Sequence, residues 1–307
     1  MAAYVGRRLV AIAFLAFAMS ILVFLIIHLV PGDPAVALLG ASAVSTDLVA
    51  RLHHELGLDL PLPVQYARWI GGVLHGDFGY SYASNSPTST LIAENLPYTL
   101  ALTVSSLALS LLVGAVLGVA AALKRNTIVD TALMGFALVI LSMPNFWLGL
   151  LLISLFSVTV HWFPVFGGTS LIGLILPTFA LGIGSAGFFA RFIRSSVLDA
   201  LHQTHVATAR SKGLRRSRVL ARHVLRNAVL PILTLIGLQF GNLISGTVVI
   251  ETVFSRPGIG RLLVTSILAK DYLTVQSIVL ILAMIYAFTN FAIDLLYPVL
   301  DPRIVHS

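Results

Sequence analysis

The sequence predicts an all-α polytopic membrane protein. Of its 307 residues, 58% are hydrophobic and only 10% are charged, whereas soluble domains carry about 25% charged residues. The apolar residues form long runs, and about 20 such residues in a helix cross the roughly 30 Å hydrocarbon core of a bilayer. Lipid rather than water must therefore cover most of the surface.

Apolar runs at six places are long enough to be transmembrane helices: residues 9–30, 100–123, 131–158, 171–190, 228–250 and 277–300. The first run follows Arg7 and Arg8, as in a secretory signal. Its 22 residues exceed the usual signal core, and no small-residue cleavage site follows it. We interpret it as a retained anchor. Pro144 and Pro177 are expected to interrupt helical hydrogen bonding in the third and fourth runs.

The distribution of basic residues predicts the orientation. With a cytoplasmic N-terminus, fourteen Lys and Arg residues lie on the cytoplasmic side and five on the outer side. Cytoplasmic loops are enriched in basic residues, so both termini are expected in the cytoplasm. The same bias explains the net charge of +7 without a nucleic-acid partner. The outer five are Arg51, Arg68, Arg256, Arg261 and Lys270.

The outer segment, residues 31–97, is the one sizeable region expected outside the bilayer. It holds six of the twelve acidic residues. Ser45 or Thr46 is expected to cap a short helix that runs to Leu56 and ends at Gly57. The segment could be a lid over the helices or a contact surface for an external partner, and one segment could serve both purposes.

A basic loop lies between the fourth and fifth runs and contains nine of the nineteen Lys and Arg residues. Residues 197–212 lack Gly and Pro and predict a helix, with Gly213 as the left-handed residue that ends it. Ser217 is expected to cap a second helix. One face of the first helix combines Leu198, Leu201, His205 and Ala209, whereas the second carries Val219, Leu220 and Val224 opposite Arg218, Arg222 and Arg226. The loop either only fixes topology or inserts a rigid helix into a cleft of another protein.

Several kinds of chemistry find no support in the sequence. There is no phosphate-binding G-x-x-x-x-G-K-[ST] motif, no H-E-x-x-H motif and no zinc-ligand spacing among the nine His residues. Gly184-Ser185-Ala186-Gly187 lacks the spacing of a hydrolase nucleophile elbow. Asp294, about one turn from the inner end of its run, is the only ionisable candidate for an ion relay. A protein with transporter architecture and no energy source of its own would have to take its energy from another protein.

Short motifs throughout the chain resemble those of binding-protein-dependent ABC importer permeases, specifically the dipeptide/oligopeptide branch, which also includes nickel permeases. The basic loop carries the ATPase-coupling motif of that family as His205-Val-Ala-Thr-Ala-Arg-Ser-Lys-Gly213-Leu214, with His223, Arg226-Asn227-Ala228 and Pro231 after it. The other matching motifs are Pro31-Gly32-Asp33-Pro34, Leu56-Gly57-Leu58-Asp59, Gly76-Asp77-Phe78-Gly79, Pro144-Asn145-Phe146-Trp147, the run from Glu251 to Gly260, Asp294-Leu-Leu-Tyr297 and Asp301-Pro302-Arg303.

The chain departs from the family pattern at three places in the coupling motif. Ala207-Thr208-Ala209 stands where ABC permeases broadly carry Glu-Ala-Ala, although the peptide branch usually lacks that Glu. His205 stands where the branch typically has Tyr, and Ser211 where it typically has Ala. These differences concern detail of the coupling contact rather than the assignment.

The resemblance implies a type I ABC importer permease fold with six transmembrane helices in a prokaryotic plasma membrane. It implies an anchor at residues 1–30, an extracytoplasmic region at 31–97 and a core at 98–307 that contains a coupling loop at 194–226. The partners would be a second homologous permease, an external substrate-binding protein and two ATPases that bind ATP and Mg, so this chain would be no enzyme and hold no cofactor. The ATPase-coupling residues would be Thr204, His205, Ala207, Ala209, Arg210, Lys212, Gly213, Leu214, Arg215 and Arg222.

Two further sets of residues have alternative interpretations. Asn145, Gln239 and Asn242 would line the translocation path or only make interhelical hydrogen bonds. Pairs of small residues at Gly114/Gly118 and Gly237/Gly241 favour close helix packing. Asp77, Arg256, Pro257 and Gly258 would form an external gate or a contact for the binding protein, or only reverse the chain.

The cargo and the class of protein have competing hypotheses. A peptide is the expected cargo, and nickel is the second hypothesis, although the five Met and the scattered His residues show no cluster for a metal. A passive channel would need no Gly213-centred motif. An intramembrane enzyme would need a buried nucleophile and base, and no such pair can be identified in the sequence.

Overall fold

The computed structural model describes residues 2–29, 50–51, 54, 59–81 and 83–300. Within these ranges the regular secondary structure is helical apart from one two-stranded antiparallel hairpin, which pairs Tyr80 with Pro87. The elements are α1 (Ala2–Leu29), α2 (Leu62–Leu74), β1 (Tyr80–Ser81), β2 (Ser86–Pro87), α3 (Thr88–Leu123), α4 (Ile128–Ser142), α5 (Asn145–Leu152, continued by a π-helix at Ile153–Thr159), α6 (Ile172–Leu201), α7 (Thr204–Ser211), α8 (Arg216–Val219, continued by a π-helix at Leu220–Val224), α9 (Leu225–Val253), α10 (Ile259–Leu268) and α11 (Tyr272–Leu300).

In the described ranges, the predicted spans correspond to five long apolar helices and one bent pair. The pair is α4 and α5, whose axes differ by 95°. The bend lies at Pro144, which has no amide hydrogen and forces the preceding residue out of the helical region; Met143 has ψ 129° accordingly. The interruption predicted at Pro144 is therefore confirmed. At Pro177 the interruption is confined to hydrogen bonding, because proline has no amide hydrogen to donate while α6 continues through that residue.

The start of the second span differs from its prediction. Helix α3 begins at Thr88 rather than at Leu100, and Pro97 lies inside it. Helix α2, which was not predicted, starts after Pro61 and has Pro63 in its first turn, where a missing amide hydrogen costs nothing. The short helix predicted up to Leu56 falls almost entirely outside the described residues.

The chain divides into two compact units, the first formed by residues 1–98 and 257–288. In this unit α2 packs on α1 through aromatic rings. The ring of Phe24 lies 5.5 Å from that of Tyr66 and 6.2 Å from that of Trp69. The hydroxyls of Ser20 and Tyr66 form a hydrogen bond of 2.8 Å. These contacts fix part of the outer segment against the first span.

A buried polar cluster fixes the hairpin in the same unit. The carboxylate of Asp271, only 2% exposed, accepts hydrogen bonds from the hydroxyls of Ser81 at 2.5 Å and Thr274 at 2.8 Å. The hydroxyl of Thr88 is 3.3 Å from that of Thr274. Because Asp271 directly precedes α11 and Ser81 belongs to β1, the carboxylate ties the hairpin to the start of the last span.

The second unit comprises residues 99–256 and 289–307 and contains close backbone contacts between helices. A Cβ added at Gly114 would lie 2.5 Å from the Cβ of Phe189, and one at Gly118 would lie 2.5 Å from the carbonyl oxygen of Ala190. Helices α3 and α6 therefore pack backbone to backbone, as the Gly114/Gly118 spacing predicts. Gly237 is similarly close to Asn290, since an added Cβ would lie 2.7 Å from its Oδ1.

Candidate coupling site

The predicted coupling residues lie on α7 and its flanking turns. The chain forms two helices here rather than the single helix predicted for residues 197–212. Helix α6 ends at Leu201, Gln203 is extended with ψ 144°, and α7 starts at Thr204. The break has a packing cause, because it turns α7 so that its apolar side chains contact the adjoining helices. Helix propensity depends on local sequence, so it could not predict a break that is caused by a tertiary contact.

The apolar face of α7 is buried in a cluster shared with α6 and α9. Val206 is fully buried and Ala209 is 6% exposed. They belong to the same cluster as Val197, Val224 and Ala228. The prediction that His205 lies on this face is wrong: His205 is exposed and Val206 takes its place. The helix is therefore anchored on the ends of two long helices.

His205 adds a polar link between α7 and α9. Its Nε2 accepts a hydrogen bond from the side-chain amide of Asn227 at 2.9 Å. Its ring centroid is 6.4 Å from that of His223. The imidazole of His205 thus forms a hydrogen bond with the first turn of α9.

Gly213 ends α7 in the left-handed conformation, as predicted, with φ +76°. Its N–H donates to the carbonyl of Arg210 at 2.9 Å, and the N–H of Leu214 donates to that of Ala209 at 3.4 Å. This pair of bonds is the Schellman motif. Leu214 packs against the same apolar cluster as Val206. The turn therefore both satisfies the last carbonyls of α7 and returns the chain to the anchor.

The second helix of the loop starts at Arg216, so Ser217 lies in its first turn and is not the predicted cap. The predicted division into two sides is confirmed. Val219 and Val224 are buried, and Leu220 packs against their cluster. The opposite side exposes Arg218, Arg222 and Arg226.

Most of the predicted coupling residues face solvent. Ala209 and Leu214 point toward the anchor, and the other eight are exposed. Four of those eight are basic, and residues 200–226 contain no acid. The exposed surface can therefore contact another protein, and its charge favours an acidic one. The exposed residues are Thr204, His205, Ala207, Arg210, Lys212, Gly213, Arg215 and Arg222.

An ion pair beside this site was not predicted. Nε and Nη2 of Arg194 on α6 donate to the two carboxylate oxygens of Asp130 on α4, both at 2.7 Å. Asp130 is 5% exposed and also accepts from the N–H of Asn126 at 3.0 Å. The sequence signal was the capping pattern formed by Thr127 and Asp130. That pattern marks the start of a helix but cannot identify a partner 64 residues away.

The three predicted path residues have different environments. The Asn145 carboxamide occupies the space that a side chain at Gly184 would need. Gln239 is 7% exposed, and its Nε2 donates to the hydroxyl of Ser185 at 2.8 Å. These two residues thus contact neighbouring helices. Asn242 is exposed, and its Nδ2 donates to Oε1 of Gln239 at 3.4 Å.

The predicted outer contact residues are only partly exposed. Arg256 is 2% exposed, and its Nη1 donates to the carbonyl of Gly168 at 2.9 Å. A docking role for Arg256 does not agree with this burial, because its guanidinium is occupied by loop carbonyls. Gly258 is also buried, and its N–H donates to Oδ1 of Asn95 at 3.1 Å. Pro257 is half-buried, and Asp77 is exposed.

Comparison with known proteins identifies relatives along the whole chain. The model of the binding-protein-dependent transport system inner membrane component matches residues 114–306, and the model of its N-terminal part matches residues 1–103. The glutathione transport system permease protein GsiC of Salmonella paratyphi A is 42% identical over 98% of both chains. A protein named as a candidate peptide transport system permease in Brucella abortus is 42% identical over 93% of both chains.

Solved structures share the fold. An inward-facing MetNI methionine ABC transporter chain matches with a TM-score of 0.59 and 18% identity, over 68% of this chain and 96% of that chain. A chain of an amino acid ABC transporter matches with a TM-score of 0.54, over 68% of this chain and 94% of that chain. The predicted permease fold class and multi-pass membrane location are thereby confirmed. The chain belongs to the family of inner membrane components of binding-protein-dependent transport systems.

Proposed function

We propose that the chain is a permease subunit of an ATP-driven importer that takes up di- or oligopeptides delivered by an external binding protein. The family description supports dependence on a binding protein. The names of the relatives support a peptide cargo, since glutathione is itself a tripeptide. No observation specifically favours nickel. A second, homologous permease would complete the translocation path.

The anchored helix α7 carries this proposal. Its apolar face is fixed to α6 and α9 through Val206 and Ala209, and its other face is basic and exposed. With both termini in the cytoplasm, that face lies on the cytoplasmic side. A cytoplasmic ATPase that holds ATP and Mg would bind α7 in a groove. Movement of the ATPase would then pass directly to the two long helices.

The charges at the edge of α7 contribute less to coupling than its anchorage does. Arg210, Lys212, Arg215 and Arg222 are all exposed. Exposed ion pairs contribute about 0–1 kcal/mol each. Coupling therefore depends mainly on the bound helix and on the turn at Gly213.

Co-purification tests the proposal. A tagged chain should recover a second permease-like chain and two ATPase subunits or domains from native membranes. In proteoliposomes, a binding protein loaded with peptide should stimulate ATP hydrolysis, and empty binding protein should not. Recovery of the chain alone, or conduction of solutes without ATP, would instead support a passive channel.

Variants of Gly213 test the role of α7 in the same assay. No atom lies within 4 Å of a Cβ added at Gly213, so a substitution there changes the backbone preference without a clash. Val strongly disfavours positive φ, whereas Asn tolerates it. We expect Gly213→Val to hydrolyse ATP with at least about tenfold less uptake per ATP, because the residue no longer fits the backbone conformation of the turn. Gly213→Asn should stay close to wild type. Normal uptake by Gly213→Val would contradict this role.

A further inference from the structure

One face of α9 is exposed along its whole apolar part. Between residues 231 and 253, the exposed side chains recur at intervals of three and four residues. This spacing places them on a single face of the helix. We call these residues the α9 stripe: Pro231, Thr234, Leu238, Asn242, Ser245, Val249 and Thr252.

The α9 stripe is unusually polar for a surface that faces lipid. Four of its seven residues carry a hydroxyl or a carboxamide, and none is charged. The hydroxyls of Ser245 and Thr252 donate to the carbonyls of Gly241 and Val248. Their oxygens nevertheless remain polar atoms on the exposed surface. Polar side chains within membrane spans usually face the bundle interior or a water-filled cavity.

Helix α3 provides an internal comparison. In its apolar part, residues 99–123, the exposed side chains are Ala101, Val104, Ala108, Leu112, Val116 and Leu123. All six are apolar, and Leu112 is 65% exposed. This face suits lipid. The contrast between two long exposed faces of the same unit indicates that α9 meets a different medium.

A buried hydrogen-bond network supports the centre of the α9 stripe. Gln239, 7% exposed, lies between Ser185 of α6 and the Asn242 carboxamide. The network gives the Asn242 carboxamide one hydrogen-bond partner while leaving the residue exposed. A binding surface needs a supporting contact of this kind. It also assigns a role to Gln239 that requires no direct contact with cargo.

We propose that the α9 stripe is the water-lined wall of the translocation path and that it binds the uncharged amide groups of a peptide backbone. The proposal rests on the proposed function and adds the surface that the cargo meets. Hydroxyl and carboxamide groups both donate and accept hydrogen bonds, as do peptide groups. The lack of charge on the stripe would let peptides of either net charge pass.

The absence of cysteine from the chain makes the test direct. Single cysteines are introduced by Asn242→Cys and Ser245→Cys in the stripe, and by Ala108→Cys and Leu112→Cys on the exposed face of α3 as matched controls. The complete transporter in membrane vesicles is treated with a membrane-impermeant cationic methanethiosulfonate. The label on this chain is measured after the subunits are separated, and denatured samples verify that each thiol can react.

We expect the two stripe cysteines to react at least about tenfold faster than the two α3 cysteines, because only the stripe is in contact with water. Equal slow reaction at all four positions would overturn the proposal. So would stripe cysteines that react only after the second permease is removed, since the stripe would then be a subunit interface.

Uptake of labelled trialanine tests the amide-binding part. Asn242→Leu should lower uptake at least about tenfold, whereas Asn242→Gln should stay within about threefold of wild type. Equal uptake by the Leu and Gln variants would overturn this part. If the wild-type transporter imports no peptide, the proposed function fails, while the labelling ratio still decides whether the stripe lines an aqueous path.

Discussion

At the scale of residues, the pair of Asp130 and Arg194 connects helices α4 and α6 beside the proposed coupling site. The two parallel hydrogen bonds, both 2.7 Å, match the fork of the guanidinium to the carboxylate. A buried ion pair of this kind need not stabilise a protein relative to apolar residues, but removal of one partner leaves a charge without compensation. Arg194 would then retain its charge in a partly buried position.

We therefore expect Asp130→Asn to destabilise the protein by about 2 kcal/mol, a value reduced because the Arg194 side chain is 28% exposed. The midpoint of thermal unfolding in detergent measures the change. Asp199→Asn is the matched control, because Asp199 is an exposed acid on the same helix as Arg194. It should change stability by no more than about 0.5 kcal/mol. Equal midpoints for the two variants would contradict a stabilising role of the pair.

Single residues could be predicted where the cause is local. Gly213 could be identified because a helix that ends before a glycine commonly requires positive φ there, and the structure has φ +76°. The burial of Arg256 and the partner of Asp130 could not, because both depend on residues more than 60 positions away. Hydropathy likewise does not distinguish the buried Gln239 from the exposed Asn242.

At the scale of elements, the contact of α3 with α6 depends on the absence of side chains. The carbonyl of Ala190 and the Cβ of Ile193 lie 2.5 and 3.0 Å from where a Cβ of Gly118 would be. A backbone atom cannot move aside as the end of a flexible side chain can. The two helices would have to separate to accept even a methyl group.

Gly118→Ala should accordingly lower stability by about 1–3 kcal/mol through overpacking. Gly135→Ala is a matched control within α4, since no atom lies within 4 Å of its added Cβ. That change should be neutral or stabilise the protein by up to about 1 kcal/mol, because Ala favours helix. The unfolding midpoint of each variant is compared with wild type. A Gly118→Ala protein as stable as Gly135→Ala would show that the helices can separate without cost.

The sequence predicts the helices whose position depends on hydropathy. It does not predict the helix ends whose position depends on packing. Hydropathy predicts the apolar centres of the spans. It does not predict that α3 starts twelve residues before Leu100, because Thr88, Glu94 and Pro97 are typical of a loop. The break after Leu201 was not found, because residues 197–212 contain no Gly or Pro. In that segment the break between α6 and α7 allows Val206 to be buried, and this packing is not visible in the local sequence.

At the scale of the whole molecule, the distribution of basic residues predicts an orientation that cysteine labelling can test. Ser84 is exposed in the hairpin, and Lys124 is exposed in the connection after α3. Each is replaced by cysteine in a separate variant. With both termini in the cytoplasm, an impermeant thiol reagent should label Ser84→Cys in spheroplasts and should label Lys124→Cys only after the membrane is permeabilised. The reverse pattern would contradict the predicted orientation. The lack of native cysteines keeps the background from this chain at zero.

Helix α3 is longer than the membrane is thick. Its 36 residues rise about 54 Å, or about 50 Å at the common tilt of about 20°, whereas a bilayer with its headgroups measures about 40–45 Å. Lys124 and Arg125 follow its last residue directly and favour the phosphate layer. The excess length therefore emerges at the Thr88 end. The excess of about 5–10 Å equals one or two helical turns, which therefore extend beyond the headgroups into water.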